Sequence, residues 1–179
     1  FDKDNRFDFE SYKEKFEYYL NKQKRLVVIL NTPAHNPTGY TISDEEWDRI
    51  IALALEHAKD KDKKIIFAVD VAYIDFSAKE SRVFMEKFGG LPENIFTLFA
   101  YSASKSYTMY GLRNGAILCV TPSETLAEEF FYSCAHSNRG TWSNGTRGAM
   151  QVIADIYSDS ALYETVEKER DQYRELLKR

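Results

Sequence analysis

Lys105 lies in a run of small residues, Ser102-Ala103-Ser104-Lys105-Ser106, directly after an apolar stretch. Taken alone, a lysine at such a position is more often a solvated surface group. Its neighbours change the reading. Arg113 follows eight residues later in Gly-Leu-Arg-Asn-Gly, between Gly111 and Gly115, which let the backbone turn tightly. A guanidinium grips a phosphate through two parallel hydrogen bonds, and Ser102 and Ser104 add hydroxyl donors on the same loop. An amine, a guanidinium and hydroxyls so close in sequence suit a phosphorylated cofactor that carries an aldehyde.

Asp70 ends a second apolar run, Ile-Ile-Phe-Ala-Val-Asp. A carboxylate there is costly unless it is paired. A helix cap or a structural ion pair would satisfy it. A protonated pyridine nitrogen would too, because an ionised carboxylate beside that nitrogen favours its charged form, and the charged ring is the electron sink that carbanion chemistry needs. Tyr73 stands three residues on and Asn36 lies in Ala-His-Asn-Pro-Thr-Gly. Either side chain can donate to a ring oxygen, although Asn-Pro-Thr-Gly is also good turn chemistry in its own right.

The elements that must position these residues follow from periodicity. Residues 9–22 read as an amphipathic helix with Phe9, Tyr12, Phe16, Tyr19 and Leu20 on one face. Strands are expected at 25–31, 64–71, 94–101 and 114–121. Ser43 with Glu46 three positions later is a capping box, opening a helix through Trp47, Ile50, Ile51, Ala54 and Leu55 to about Ala58. A short helix is expected at 81–88, closed by Gly89-Gly90, and another from Pro122-Ser123 to about Ala135. The segment Ser-Asn-Arg-Gly-Thr-Trp-Ser-Asn-Gly reads as a loop, with two helices after it, broken near Asp159. Apolar strands alternating with helices argue an α/β fold, three layers α/β/α around a mainly parallel sheet. In such sheets ligands bind beyond the carboxyl ends of the strands. Asn36, Asp70 with Tyr73, and Ser102 with Lys105 all follow strand ends, so the topology gathers them along one edge.

In that order and spacing, Ala-His-Asn-Pro-Thr-Gly, Asp-Val-Ala-Tyr, Ser-Ala-Ser-Lys and Gly-Leu-Arg-Asn-Gly resemble class I/II aminotransferases of fold type I, from about Arg25 to the end of the chain. The resemblance implies pyridoxal 5'-phosphate (PLP) as cofactor. It makes Lys105 the residue that forms the Schiff base and moves the proton between the substrate α-carbon and the cofactor. It makes Asp70 the partner of the pyridine nitrogen and has Tyr73 and Asn36 bind the ring oxygen. Ser102 and Arg113 would hold the phosphate, with Ser104 as a further candidate. The reaction implied is transfer of an amino group between an amino acid and a 2-oxo acid.

A narrower likeness connects Asn-Arg-Gly-Thr-Trp-Ser-Asn to the aspartate and aromatic branch of that family. It implies that Arg139 reaches across a homodimer to the substrate's side chain; otherwise it is a surface loop arginine. The sequence departs from the aspartate enzymes after Asn144, where Gly145-Thr146 stands in place of two prolines. Two other readings keep part of the pattern. One is a PLP-dependent carbon–sulfur lyase or other elimination enzyme of the same fold. The other is a non-catalytic aminotransferase-like effector domain, although no helix-turn-helix accompanies it.

The chain has 179 residues, 24 basic and 28 acidic, with 44% hydrophobic and 15% aromatic content. That is a globular composition. The mild acidity and the lack of a basic stripe argue against nucleic-acid binding. No apolar run approaches the roughly 20 residues of a membrane helix. The charged, aromatic start is unlike a signal peptide, and a cytoplasmic location is expected. No metal-type spacing joins Cys119, Cys134 or the histidines. His57 and His136 read as structural, His136 at a helix end. The chain starts without Met, ends in a charged helical run, and contains no match to the family's N-terminal phosphate turn or its arginine for the α-carboxylate. It is therefore expected to be part of a large, cofactor-binding domain, residues 1–179, with 158–179 leading toward a small domain.

Overall fold

Polar caps set the ends of the first two long helices. The Asp8 carboxylate accepts from the Ser11 amide and opens α1 (Phe9–Gln23), and Lys24 closes it in a left-handed conformation. Seven residues of β1 (Arg25–Asn31) follow. Ser43 and Glu46 then form the expected capping box at the start of α2 (Asp44–His57). That helix is the crossover that a parallel strand pair requires, and it leads into β2 (Lys64–Asp70). The Asn94 amide donates to the carbonyls of Ala58, Asp60 and Lys63, tying the charged turn before β2 to the start of β3 (Ile95–Ser102).

The computed structural model describes residues 1–177. In them one four-stranded sheet has its strands in chain order, β1 to β3 parallel and β4 (Gly115–Val120) antiparallel to β3. One turn of helix, α3 (Ala103–Ser106), joins the end of β3 to the loop before β4. The helices α4 (Glu124–Thr141), α5 (Arg147–Ser158) and α6 (Ser160–Leu177) follow. No described helix is long and apolar enough to cross a membrane.

The core lies on one face of the sheet. Val28, Ile65, Phe67, Val69, Ile95 and Phe99 pack under Phe16 and Leu20 of α1, Trp47 and Ile50 of α2, and Phe84 and Phe88. Trp47 and Phe84 stack with centroids 4.9 Å apart, and Phe88 meets Phe99 edge-on at 5.3 Å. Each such ring contributes about 1.5–3 kcal/mol by leaving water, and the offset and edge-on pairs add to that. On the other face Phe96 meets Phe130 of α4 at 5.5 Å, while Val27, Ile29 and Ile117 stay exposed.

Several expectations are corrected. Residues 79–88 are 3₁₀ helix, starting two residues before the expected short helix. The loop around Lys105 contains α3. Helix α4 runs to Thr141 rather than Ala135, so Arg139 stands in its last turn and not in a loop, and His136 lies inside the helix. The Gly140 backbone has open space around it and does not stop the helix. Tyr19 and Leu55 are exposed; Leu53 is buried in α2 instead.

Candidate functional site

The strand ends converge as the topology requires. Asn31, Asp70 and Ala100 are aligned across β1, β2 and β3, and Ser102 pairs with Gly115. Asn31 bridges the first two loops. Its amide donates to the Asp70 carbonyl at 3.2 Å, and its side-chain oxygen accepts from the Asn36 backbone at 2.8 Å. Asp70 Oδ1 accepts from the Ala72 amide at 3.0 Å, which turns the chain toward Tyr73. The Asn36 amide nitrogen donates to the Tyr73 hydroxyl at 3.2 Å.

Lys105 Nζ lies 5.4 Å from the Tyr73 ring centre and 4.7 Å from that of Tyr110. Both contacts are within the range of a cation–π attraction. Helix α3 places the lysine there: the Ala103 amide donates to the Asn114 carbonyl and the Tyr107 amide to the Ala103 carbonyl, each at 3.0 Å. Ser104 is buried beneath. Arg113 adopts a left-handed backbone at φ 49°, and its Nη1 donates to the Tyr110 carbonyl at 2.9 Å and reaches Ser104 Oγ at 3.5 Å. Thr108, between the lysine and the arginine, is also left-handed at φ 53°. Non-glycine residues in that region are strained, and such strain clusters where a loop is held for a purpose.

Asn36 contacts Tyr73 and Tyr73 contacts Lys105, while Tyr110 stands between Lys105 and the Arg113–Ser104 pair; Asp70 and Ser102 lie at the strand ends that carry their loops. Arg139 is apart from them: its Nη1 donates to the backbone and hydroxyl oxygens of Ser143, at 3.2 and 2.9 Å. Sequence reasoning missed Asn31 and Tyr110. It also missed Asp75, Arg170 and Arg174, which form a buried charged cluster next to Tyr73 and Ser106. A pocket of about 560 Å³ opens between the Asn36 and Tyr73 loops, lined also by His35, Phe76 and Tyr110. Among the described residues no group of acidic, histidine or cysteine side chains is arranged to hold a metal ion.

One amine over aromatic faces, one carboxylate with one oxygen engaged, an amide–phenol pair, and a guanidinium beside a hydroxyl form a donor set that suits a phosphorylated pyridine aldehyde. The family model described as aminotransferase class I and II matches residues 2–179. The chain belongs to the class I and II aminotransferase family. An aromatic-amino-acid aminotransferase of Pseudomonas aeruginosa is 30% identical over 163 residues, covering 89% of this chain and 38% of its own length. An aspartate aminotransferase of Escherichia coli is 25% identical, covering 97% of this chain and 43% of its own. The crystal structure of an aminotransferase from Anaerococcus prevotii superposes with a TM-score of 0.95 at 42% identity, over 99% of this chain and 44% of that one. This aminotransferase-family chain therefore spans about two-fifths of the length of the relatives it matches.

Proposed function

We propose that this chain carries the lysine-bearing part of an aminotransferase that exchanges an amino group between an amino acid and a 2-oxo acid, with PLP bonded to Lys105. The observation that supports it most is the convergence of Lys105, Tyr73 and Asn36 from three separate strand ends within direct contact. Bound PLP supplies an electron sink for the pair left on the substrate α-carbon.

The chain's own residues do the rest in this reading. Lys105 Nζ would hold the cofactor and would carry the proton between the substrate α-carbon and the cofactor. The Asp70 carboxylate keeps the pyridine nitrogen protonated by charge attraction. The Tyr73 hydroxyl, held by Asn36, donates to the ring oxygen. Arg113 with Ser102 and Ser104 binds the phosphate.

Aspartate or aromatic amino acids are the favoured substrates, because the relatives include enzymes named for each. Arg139, exposed in the last turn of α4 near exposed Trp142, is the substrate-specificity residue of a partner's site in a homodimer. A cytoplasmic location fits the same reading.

The test is the absorbance spectrum of the chain, and of the longest natural chain containing it, with added PLP, beside a Lys105→Ala variant. A pH-sensitive visible band that the variant lacks is expected. Absence of any Lys105-dependent band from the longest chain would overturn the proposal.

A further inference from the structure

The residues between the two loops of the site are held by one helix far away in sequence. Arg170 of α6 is only 4% exposed and Arg174 6%, and both reach Asp75, itself 6% exposed, two residues after Tyr73. Arg174 Nε donates to the Asp75 backbone carbonyl at 2.8 Å. Arg170 Nη2 lies 3.4 Å from Asp75 Oδ2 and donates at 3.1 Å to the carbonyl of Ser106, the residue after Lys105. Its Nη1 pairs with Glu167 at 2.7 Å, and its guanidinium stands 4.5 Å over the Tyr107 ring. The other partners of the Asp75 carboxylate are Arg82 at 2.5 Å and the Tyr101 hydroxyl at 3.2 Å. Arg82 touches only the Tyr73 side of this arrangement; Arg170 touches both sides.

Burying an arginine fork costs much solvation free energy, which pairing alone does not always offset. A helix tether would be met as well by apolar packing. The guanidinium geometry instead provides what packing cannot: fixed donors in one plane, aimed at a backbone carbonyl and a carboxylate at once. We infer that Arg170 is a positioning residue that sets the separation of Lys105 from Tyr73 by bridging the Ser106 carbonyl and the Asp75 carboxylate. The purpose of that separation rests on the reading of Lys105 as the cofactor-bonding lysine.

The position of the Lys105 amine can be read without any cofactor. Reductive ¹³C-methylation of the chain's lysines keeps their charge, and methyl groups on a nitrogen above the Tyr73 and Tyr110 faces resonate upfield of exposed dimethyl-lysines. Lys105→Ala assigns the signal. Arg170→Lys keeps the charge but loses the fork, and should lose the part of the Lys105 displacement that the Tyr73 ring contributes, moving the resonance toward the exposed-lysine position with the Tyr110 contribution and the far-ultraviolet spectrum unchanged. Arg82→Gln, which removes another partner of Asp75 without touching Ser106, should leave it displaced. Should Arg170→Lys unfold the chain, the paired Asp75→Asn/Arg170→Gln variant, which removes both charges together, serves in its place with the same expected loss. A Lys105 signal displaced as far in the folded Arg170 variant as in the parent protein, or moved equally in Arg82→Gln, overturns the inference. Absence of a Lys105-dependent visible band from the longest natural chain with PLP would sink the catalytic reading and leave this resonance result standing.

Discussion

The Asn36 side-chain amide donates to the Tyr73 hydroxyl at 3.2 Å, linking a turn after β1 to a turn after β2. Two residues that are 37 positions apart thus present one shared donor pair beside Lys105. A phenol already accepting a hydrogen bond has its own proton free to donate elsewhere.

Tyr73→Phe and Asn36→Ala should each weaken PLP binding, by about 0.5–1.5 kcal/mol for a neutral hydrogen bond. Because the two side chains act through one contact, the double variant should lose less than the sum. Absorbance titrations of the four proteins measure this; strict additivity would show that the pair does not act together.

Lys105 is the expected point of covalent attachment. Borohydride reduction after PLP addition should leave the cofactor's added mass on the peptide containing Lys105 and on no peptide of Lys105→Ala. Peptide mass spectrometry decides it, and label spread over many surface lysines would contradict the assignment.

Gly115 sets how closely β4 approaches β3 beside Ser102. A Cβ built there would lie 2.5 Å from the Tyr101 carbonyl oxygen, so the backbone must shift to admit one. Gly115→Ala should destabilise by roughly 1–3 kcal/mol. Gly111→Ala, in open space, should change stability little. Urea unfolding midpoints of the two variants give the comparison.

Thr108, exposed at φ 53°, has a left-handed backbone that disfavours a β-branched residue. Thr108→Gly removes the clash at the cost of a more flexible unfolded chain, and the net should be stabilising by roughly 0.5–1 kcal/mol. A lower urea midpoint than the parent protein would argue that the threonine is not strained there.

Acid should loosen α6. Burial raises the Glu167 pKa, but the hydrogen bond from Arg170 and the charges of Arg170 and Arg174 outweigh it, so the net shift is below the usual 4.5. A carboxylate with a depressed folded pKa contributes stability that is present above its unfolded pKa and is lost as pH falls through the folded value. Melting temperature should therefore drop below about pH 4.5, and Glu167→Gln should show a shallower fall, from a lower plateau at neutral pH. Parallel acid curves for the two proteins would remove Glu167 from the explanation.

The local patterns of the chain determined its elements and the placing of most of its candidate site. Apolar runs of strand length, the Ser43–Glu46 capping box and the polar residues after each strand are short-range signals. They were enough to place Asn36, Asp70, Tyr73, Ser102 and Lys105 on one sheet edge. The end of α4 was misread because Gly140 and the polar residues around it look like a loop, whereas that glycine needs no special backbone and the helix continues through it. Arg170 and Arg174 were unreadable for a different reason. In sequence they belong to a charged helix whose arginines look like a solvated face. Only the docking of α6 against the turn after β2 buries them, and burial is decided by partners about a hundred positions away, such as Asp75 for Arg174. Spacing along a helix specifies which side chains share a face; which face loses its water is specified by what packs on it, and that is a property of the tertiary structure alone.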